Sequence, residues 1–259
     1  MCLTLQSLCE RPQISPLPAE EIHLWWITGA DQPLTDLLSG LEKNWLDEQE
    51  TNRSTRITHV EKRNIHRSTR MALRYLLGSY LQQHPADIRF TFNQQQKPRL
   101  AGTEEDRGLT FNLAHCGGTI VLAFGWNRPL GVDLETHIKP RRLERLAAAC
   151  FTASEYQHWQ ARPDQDKQRT FYQYWTAKEA FVKATGAGIA MGLQRLEIDA
   201  DFRGFVQVPE EAGPADAWQL HGWEDEQHAL ALVSRGSGAK IRFCNINPTL
   251  RSFNKRTTP

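Results

Sequence analysis

Trp175-Thr176-Ala177-Lys178-Glu179-Ala180-Phe181-Val182-Lys183-Ala184-Thr185-Gly186 decides how this chain is read, together with Gly131-Val132-Asp133-Leu134-Glu135 upstream. Phe171, Tyr172, Trp175 and Val182 recur at helical spacing, and at about 100° per residue Glu179 falls inside their apolar arc. A carboxylate on that stripe needs a cation or hydrogen-bond donors. Lys183, one turn on, can supply one, as an ordinary i,i+4 pair worth about 0.2–0.5 kcal/mol. In the upstream strand, Leu130, Val132 and Leu134 face one side and Asp133 and Glu135 the other. Two same-face carboxylates about 6–7 Å apart repel unless a cation lies between them, although an exposed sheet face would tolerate them. With Glu179 they form an all-oxygen donor set, which suits Mg²⁺ held partly by substrate phosphates.

Working outward, other local patterns join these two. Phe151-Thr-x-x-Glu155 is a capping box at a helix start, hydroxyl and carboxylate satisfying reciprocal backbone donors. Lys97-Pro98 sits in a turn-rich loop, and Phe111-Asn112-Leu113-Ala114-His115 runs through a strand into the Gly117-Gly118 turn. Taken together, these strings resemble the signature of the 4′-phosphopantetheinyl transferases, in particular the Sfp class, over residues 50–200. Ala114 stands where that class usually has Ser, and Gln96 where a Gly usually precedes Lys-Pro.

The resemblance implies an α/β (α+β) fold of two similar lobes about a pseudo-twofold axis, with coenzyme A bound between them. It implies an enzyme that moves the 4′-phosphopantetheine arm of coenzyme A to a serine of apo acyl, peptidyl or aryl carrier proteins, giving 3′,5′-ADP. Fatty-acid, peptide, polyketide and other secondary-metabolite synthesis use such carriers. By the same resemblance Asp133, Glu135 and Glu179 would hold Mg²⁺, Glu179 would take the serine proton, and Lys183 would stabilise the departing phosphate. Lys178 is left open between packing and phosphate contact. Two other readings use the same residues: a Mg²⁺-dependent phosphodiester hydrolase, and a non-catalytic carrier-binding protein.

Arg53, Arg56, Arg63, Arg67 and Arg70 recur at intervals of 3, 7, 4 and 3 and share a face if the segment is one helix. That face is either solvated or a phosphate-binding stripe, since Arg offers bidentate donors. The resemblance places Arg70 near the nucleotide phosphates of coenzyme A, Lys97 at its nucleotide end, and His115 on one of its phosphates. Arg53 and Arg56 are counted with them.

The chain divides, on this reading, into an N-terminal arm (1–20), an α/β lobe (21–128), a second α/β lobe with the metal site (129–244) and a flexible tail (245–259). Strands are expected at 22–27, 88–92, 109–113, 119–124, 193–199, 205–208, 217–223, 229–234 and 240–244. Helices are expected with breaks over 34–64, then over 67–83, 139–150 and 165–185, the last closed by Gly186. Each half thus reads as a strand, then helices, then strands.

A net charge of +1 excludes a general nucleic-acid binder, so any anion site must be local. Cysteines at 2, 9, 116, 150 and 244 are scattered and form no C-x-x-C, which fits reduced thiols in the cytoplasm rather than a disulfide framework. Glu10-Arg11-Pro12 breaks the first apolar run too early for a signal peptide, and no run is long enough to span a membrane. A cytoplasmic monomer is expected.

Overall fold

The computed structural model describes residues 3–4, 14–31, 36–93, 95, 97–102, 108–137, 142–244 and 251–252, the side chains of 3–4, 36–39 and 251–252 excepted. The chain is a mixed α/β protein of two compact units. The first comprises residues 1–110, 115–126 and 240–247, and the second residues 111–114, 127–239 and 248–259. No described helix is long and apolar enough to cross a membrane.

In the first unit, β1 (Leu3–Thr4) lies parallel to one end of β2 (Glu21–Thr28). Helices α1 (Asp36–Trp45), α2 (Glu48–Thr55) and α3 (Val60–Leu81) follow, then a short 3₁₀ turn (Pro85–Asp87). Next come a small hairpin of β3 (Phe90–Phe92) and β4 (Pro98–Leu100), and the strands β5 (Leu109–Cys116) and β6 (Thr119–Trp126). The main sheet runs β1-β2-β6-β5, with β2 antiparallel to β6 from Ile22↔Gly125 to Ile27↔Ile120. Both of those strands are near-continuous apolar runs, the pattern of strands buried on both faces.

The expected Arg stripe is not on one helix. Arg56 caps the end of α2 and His59 the start of α3, so Arg53 and Arg56 belong to a different element from Arg63, Arg67 and Arg70. Asp47 and Glu50 form a capping box at the start of α2, which the apolar periodicity alone does not mark.

The second unit repeats the plan: β7 (Leu130–Thr136), then α4 (Leu143–Cys150), α5 (Ala153–Gln160) and α6 (Asp164–Thr185). Two 3₁₀ turns (Ile189–Met191 and Leu193–Arg195), a hairpin of β8 (Glu197–Ile198) and β9 (Phe205–Gln207), and a hairpin of β10 (Trp218–Glu224) and β11 (His228–Arg235) complete it. β11 pairs antiparallel with β7 in register Ala229↔Glu135, Ala231↔Asp133 and Val233↔Gly131. α6 covers this sheet, packing Phe181 and Ala177 into a core with Trp218, Ala229, Ala231 and Val233. Each fully buried large side chain there contributes about 1.5–3 kcal/mol.

Three expectations change. Residues 193–199 turn helically before a strand of only two residues, because the carbonyls of Leu193 and Leu196 are drawn to the Lys178 ammonium. Lys240–Cys244, grouped by sequence with the second lobe, is β12 of the first unit, parallel to β2 in register Ile241↔Ile22 to Cys244↔Trp25. Within the segment read as a tail, β13 (Arg251–Ser252) pairs with β10 at Trp223 and Glu224.

Candidate active site

The site is built where α6 crosses β7. A Cβ at Gly131 would collide with the backbone of Ala180, Lys183 and Ala184, so only glycine lets the helix lie this close. Because side chains alternate along a strand, Asp133 and Glu135 share the face of Gly131 and point to the same helix. Trp175, Glu179 and Lys183, spaced four residues apart, make the row that meets them.

The contacts follow. Lys183 Nζ donates to Asp133 Oδ1 at 2.7 Å and to the Val132 carbonyl at 3.2 Å. Trp175 Nε1 donates to Glu135 Oε1 at 3.3 Å. Glu179 lies half-buried in the row between them, and its Oε1 is covered by protein without a hydrogen bond. The i,i+4 ion pair expected between Glu179 and Lys183 is not formed, since the strand carboxylate takes the ammonium instead. Burial raises the Glu179 carboxyl above the usual carboxylate range; Asp133 and Glu135 raise it further, and Lys183 opposes them. Asn112 Oδ1 accepts the Val132 N–H at 2.9 Å, which ties the Phe-Asn element to the carboxylate strand.

Among the described residues, no three acid, His or Cys side chains converge into a ready-made metal cluster. Mg²⁺ does not require one, because it keeps several waters and binds one or two carboxylates plus substrate phosphates. The chemistry fits it: all donors are oxygen, Glu179 Oε1 lacks a partner, and an ammonium already sits against Asp133.

The remaining candidates lie in the first unit. Arg53 and Arg56 are exposed on α2 and at its end; His115 is exposed near the end of β5; Lys97 is half-buried just before β4. Arg70 is largely covered: its Nε bonds to Glu50 Oε1 and its guanidinium lies 4.6 Å from the Phe90 ring centroid. Arg67 is paired with Glu42. Ala114 is buried, and Gln96 lies outside the described residues.

The profile of the 4′-phosphopantetheinyl transferase superfamily matches residues 129–233. The 4′-phosphopantetheinyl transferase HetI of Nostoc sp. is 35% identical, over 90% of this chain and 95% of its own length. The 4′-phosphopantetheinyl transferase Sfp of Bacillus subtilis is 26% identical, over 71% of this chain and 80% of its own. A phosphopantetheinyl transferase of Thraustochytrium sp. is 26% identical, over 83% and 75%. The chain belongs to the 4′-phosphopantetheinyl transferase superfamily.

Within this transferase the motif lysine left open by sequence, Lys178, is structural. Wholly buried, its ammonium bonds to Glu155 Oε2 at 2.8 Å, to the Leu193 carbonyl at 2.8 Å, and to the Leu196 carbonyl. Glu155 is therefore more than a helix cap: besides the Thr152 N–H of its box it accepts from Lys178 and from the Ile198 N–H. Burial pushes both groups toward their neutral forms, and their mutual attraction pushes back. The hydrogen bonds converging on each group favour its charged form and oppose that push.

Proposed function

We propose that this transferase carries the 4′-phosphopantetheine arm of coenzyme A to a serine hydroxyl of an apo carrier protein, acyl, peptidyl or aryl, and releases 3′,5′-ADP. One observation carries the reading: Glu179 and Lys183 ride a single row of α6 against the two carboxylates of β7. In this step the serine oxygen bonds to the β-phosphorus of the diphosphate, the bond from that phosphorus to the bridging oxygen breaks, and the serine proton needs an acceptor. Asp133, Glu135 and Glu179 would hold Mg²⁺, which when bound supplies charge neutralisation at the diphosphate. Glu179 takes the serine proton, directly or through water, and its raised proton affinity suits a general base. Lys183, oriented by Asp133 and the Val132 carbonyl, presents its cation to the departing phosphate. Arg53, Arg56, Lys97 and His115 are proposed to bind the nucleotide phosphates, with Arg70 braced on Glu50. The enzyme is proposed to act as a cytoplasmic monomer without a nucleic-acid partner.

The test is to incubate the protein with coenzyme A, Mg²⁺ and a panel of apo-carriers, then weigh the carriers by mass spectrometry. Carriers should gain one phosphopantetheine each, and EDTA or Asp133→Ala should nearly abolish the gain. Undiminished transfer in EDTA would remove the metal assignment. Nucleotide split with no carrier present would favour a hydrolase instead.

A further inference from the structure

The corner between α2 and α3 holds a histidine that the fold leaves unsatisfied. The two helices pack antiparallel, with Glu50 of α2 facing Arg70 and Arg74 of α3. One turn forward on α2 is Arg53, and one turn back on α3 is His66, near enough for the guanidinium to act on the ring. His66 Nδ1 is covered by protein and makes no hydrogen bond. A buried polar group of this kind ordinarily has a partner, and its lack calls for an explanation. Around the ring the guanidinium groups of Arg53 from α2 and Arg70 from α3 predominate, with His115 from β5 near by and Glu42 of α1 the acid that faces it. Arg67 and Arg70 have carboxylate partners, whereas Arg53 has no ion pair among the described residues. Burial and those cations hold the imidazole near a pKa of about 4, neutral under physiological conditions.

An anion is what this arrangement lacks. A phosphate monoester among the same groups would reverse the local field, favour imidazolium, and accept its charge-assisted hydrogen bond. We propose that His66 is a further phosphate ligand of the transferase, neutral before the phosphate arrives and protonated once it is bound, so that binding draws a proton from solvent. This rests on reading Arg53 and His115 as coenzyme A contacts. It makes affinity for a donor with a 3′-phosphate fall as pH rises, by up to about tenfold per unit, while that for dephospho-coenzyme A stays flat.

Calorimetric titrations at pH 7 in two buffers of unlike ionisation enthalpy test it, using coenzyme A, 3′,5′-ADP and dephospho-coenzyme A. Wild type should take up at least about half a proton with the first two ligands and little with the third. His66→Gln and His66→Asn should lose that uptake and bind about tenfold more weakly. Equal uptake in wild type and both variants, or equal uptake with dephospho-coenzyme A, overturns the proposal. In case either variant folds poorly, proton NMR of the wild-type protein gives a second readout. One histidine titrating near 4 should move to about 7 or above when 3′,5′-ADP is added, and a midpoint that stays lower overturns the proposal as well. Wild type that binds none of the three ligands refutes the coenzyme A reading itself, a result distinct from binding without proton uptake.

Discussion

Set side by side, the two units of this transferase use one frame for two purposes. In each, a short helix opened by a capping box precedes a helix of 22 residues, whose fifteenth residue is a wholly buried cation. Arg74 in α3 bonds to Glu50, the third residue of α2 and the acid of its box, and to the carbonyls of Pro85 and Ile88. Lys178 in α6 bonds to Glu155, the third residue of α5 and the acid of its box, and to the carbonyls of Leu193 and Leu196. The carbonyls lie three apart across a 3₁₀ turn in both. The difference begins one residue on. Position sixteen is Tyr75 in α3, buried and stacked on Trp45 at 5.7 Å, but Glu179 in α6. Position twenty is Ser79 in α3 and Lys183 in α6. The frame is thus shared, and the proposed chemistry would turn on two residues one helical turn apart.

The largest effect should come from cutting either frame. Lys178→Met strands the buried carboxylate of Glu155, and breaking such a pair typically costs about 3–5 kcal/mol, whereas Arg74→Met leaves Glu50 with Arg70 and should cost less. Urea unfolding should show both losses; a near-neutral result at one site would end the equivalence. The pH dependence sharpens it for Lys178→Met. Without its cation, buried Glu155 has a folded pKa above its unfolded one, so the folded state holds a proton the unfolded state has released. Stability is then highest below that window and lost as pH rises through it. The deficit against wild type should be smaller at pH 5 than at pH 8.

Next in size is the contrast at position sixteen. Glu179→Gln keeps the shape but cannot accept the serine proton, so single-turnover transfer should fall by about 10²-fold or more, with coenzyme A affinity nearly unchanged. Tyr75→Phe, the matching position of the first unit, should leave transfer as it was. Ordinary turnover by the Gln variant would make Glu179 only part of the frame.

How much of this was legible follows from how local each feature is. The carboxylate pair on one face of β7, the helix over 165–185 and the Thr152–Glu155 box are set by neighbours in sequence, and period 2, period 3.6 and cap chemistry display them. The role of Gly131 is not, since a glycine between apolar residues says nothing of the backbone that will press on it. Neither is the partner of Lys178, which comes from Glu155 and two carbonyls on other elements. The Arg stripe misled because its spacing holds only if no turn interrupts it, and the chain breaks between Arg56 and His59. β12 shows the same limit for sheets: alternation tells which face a strand buries, not which strand it joins.

The smallest effects expected are at the two N-caps, and they test whether the boxes are equivalent. Thr152 Oγ1 accepts the Glu155 N–H at 3.3 Å, and Thr152→Ala removes only that cap, at a cost of about 1 kcal/mol. Asp47 Oδ1 accepts the Glu50 N–H at 2.9 Å, while its Oδ2 lies 2.7 Å from Arg74 Nη2 on a side chain that is 40% exposed. Solvent screens that second contact, so it should add less than about 1 kcal/mol to the cap when Asp47→Ala is measured by urea unfolding. Asp47→Asn separates the two terms, because an amide oxygen can still cap the helix but carries no charge. If the boxes are equivalent, Asp47→Asn should recover most of the loss seen with Asp47→Ala. Equal losses for the two substitutions would mean that Asp47 serves Arg74 rather than α2, and the likeness between the units would then stop at the buried cation and its glutamate.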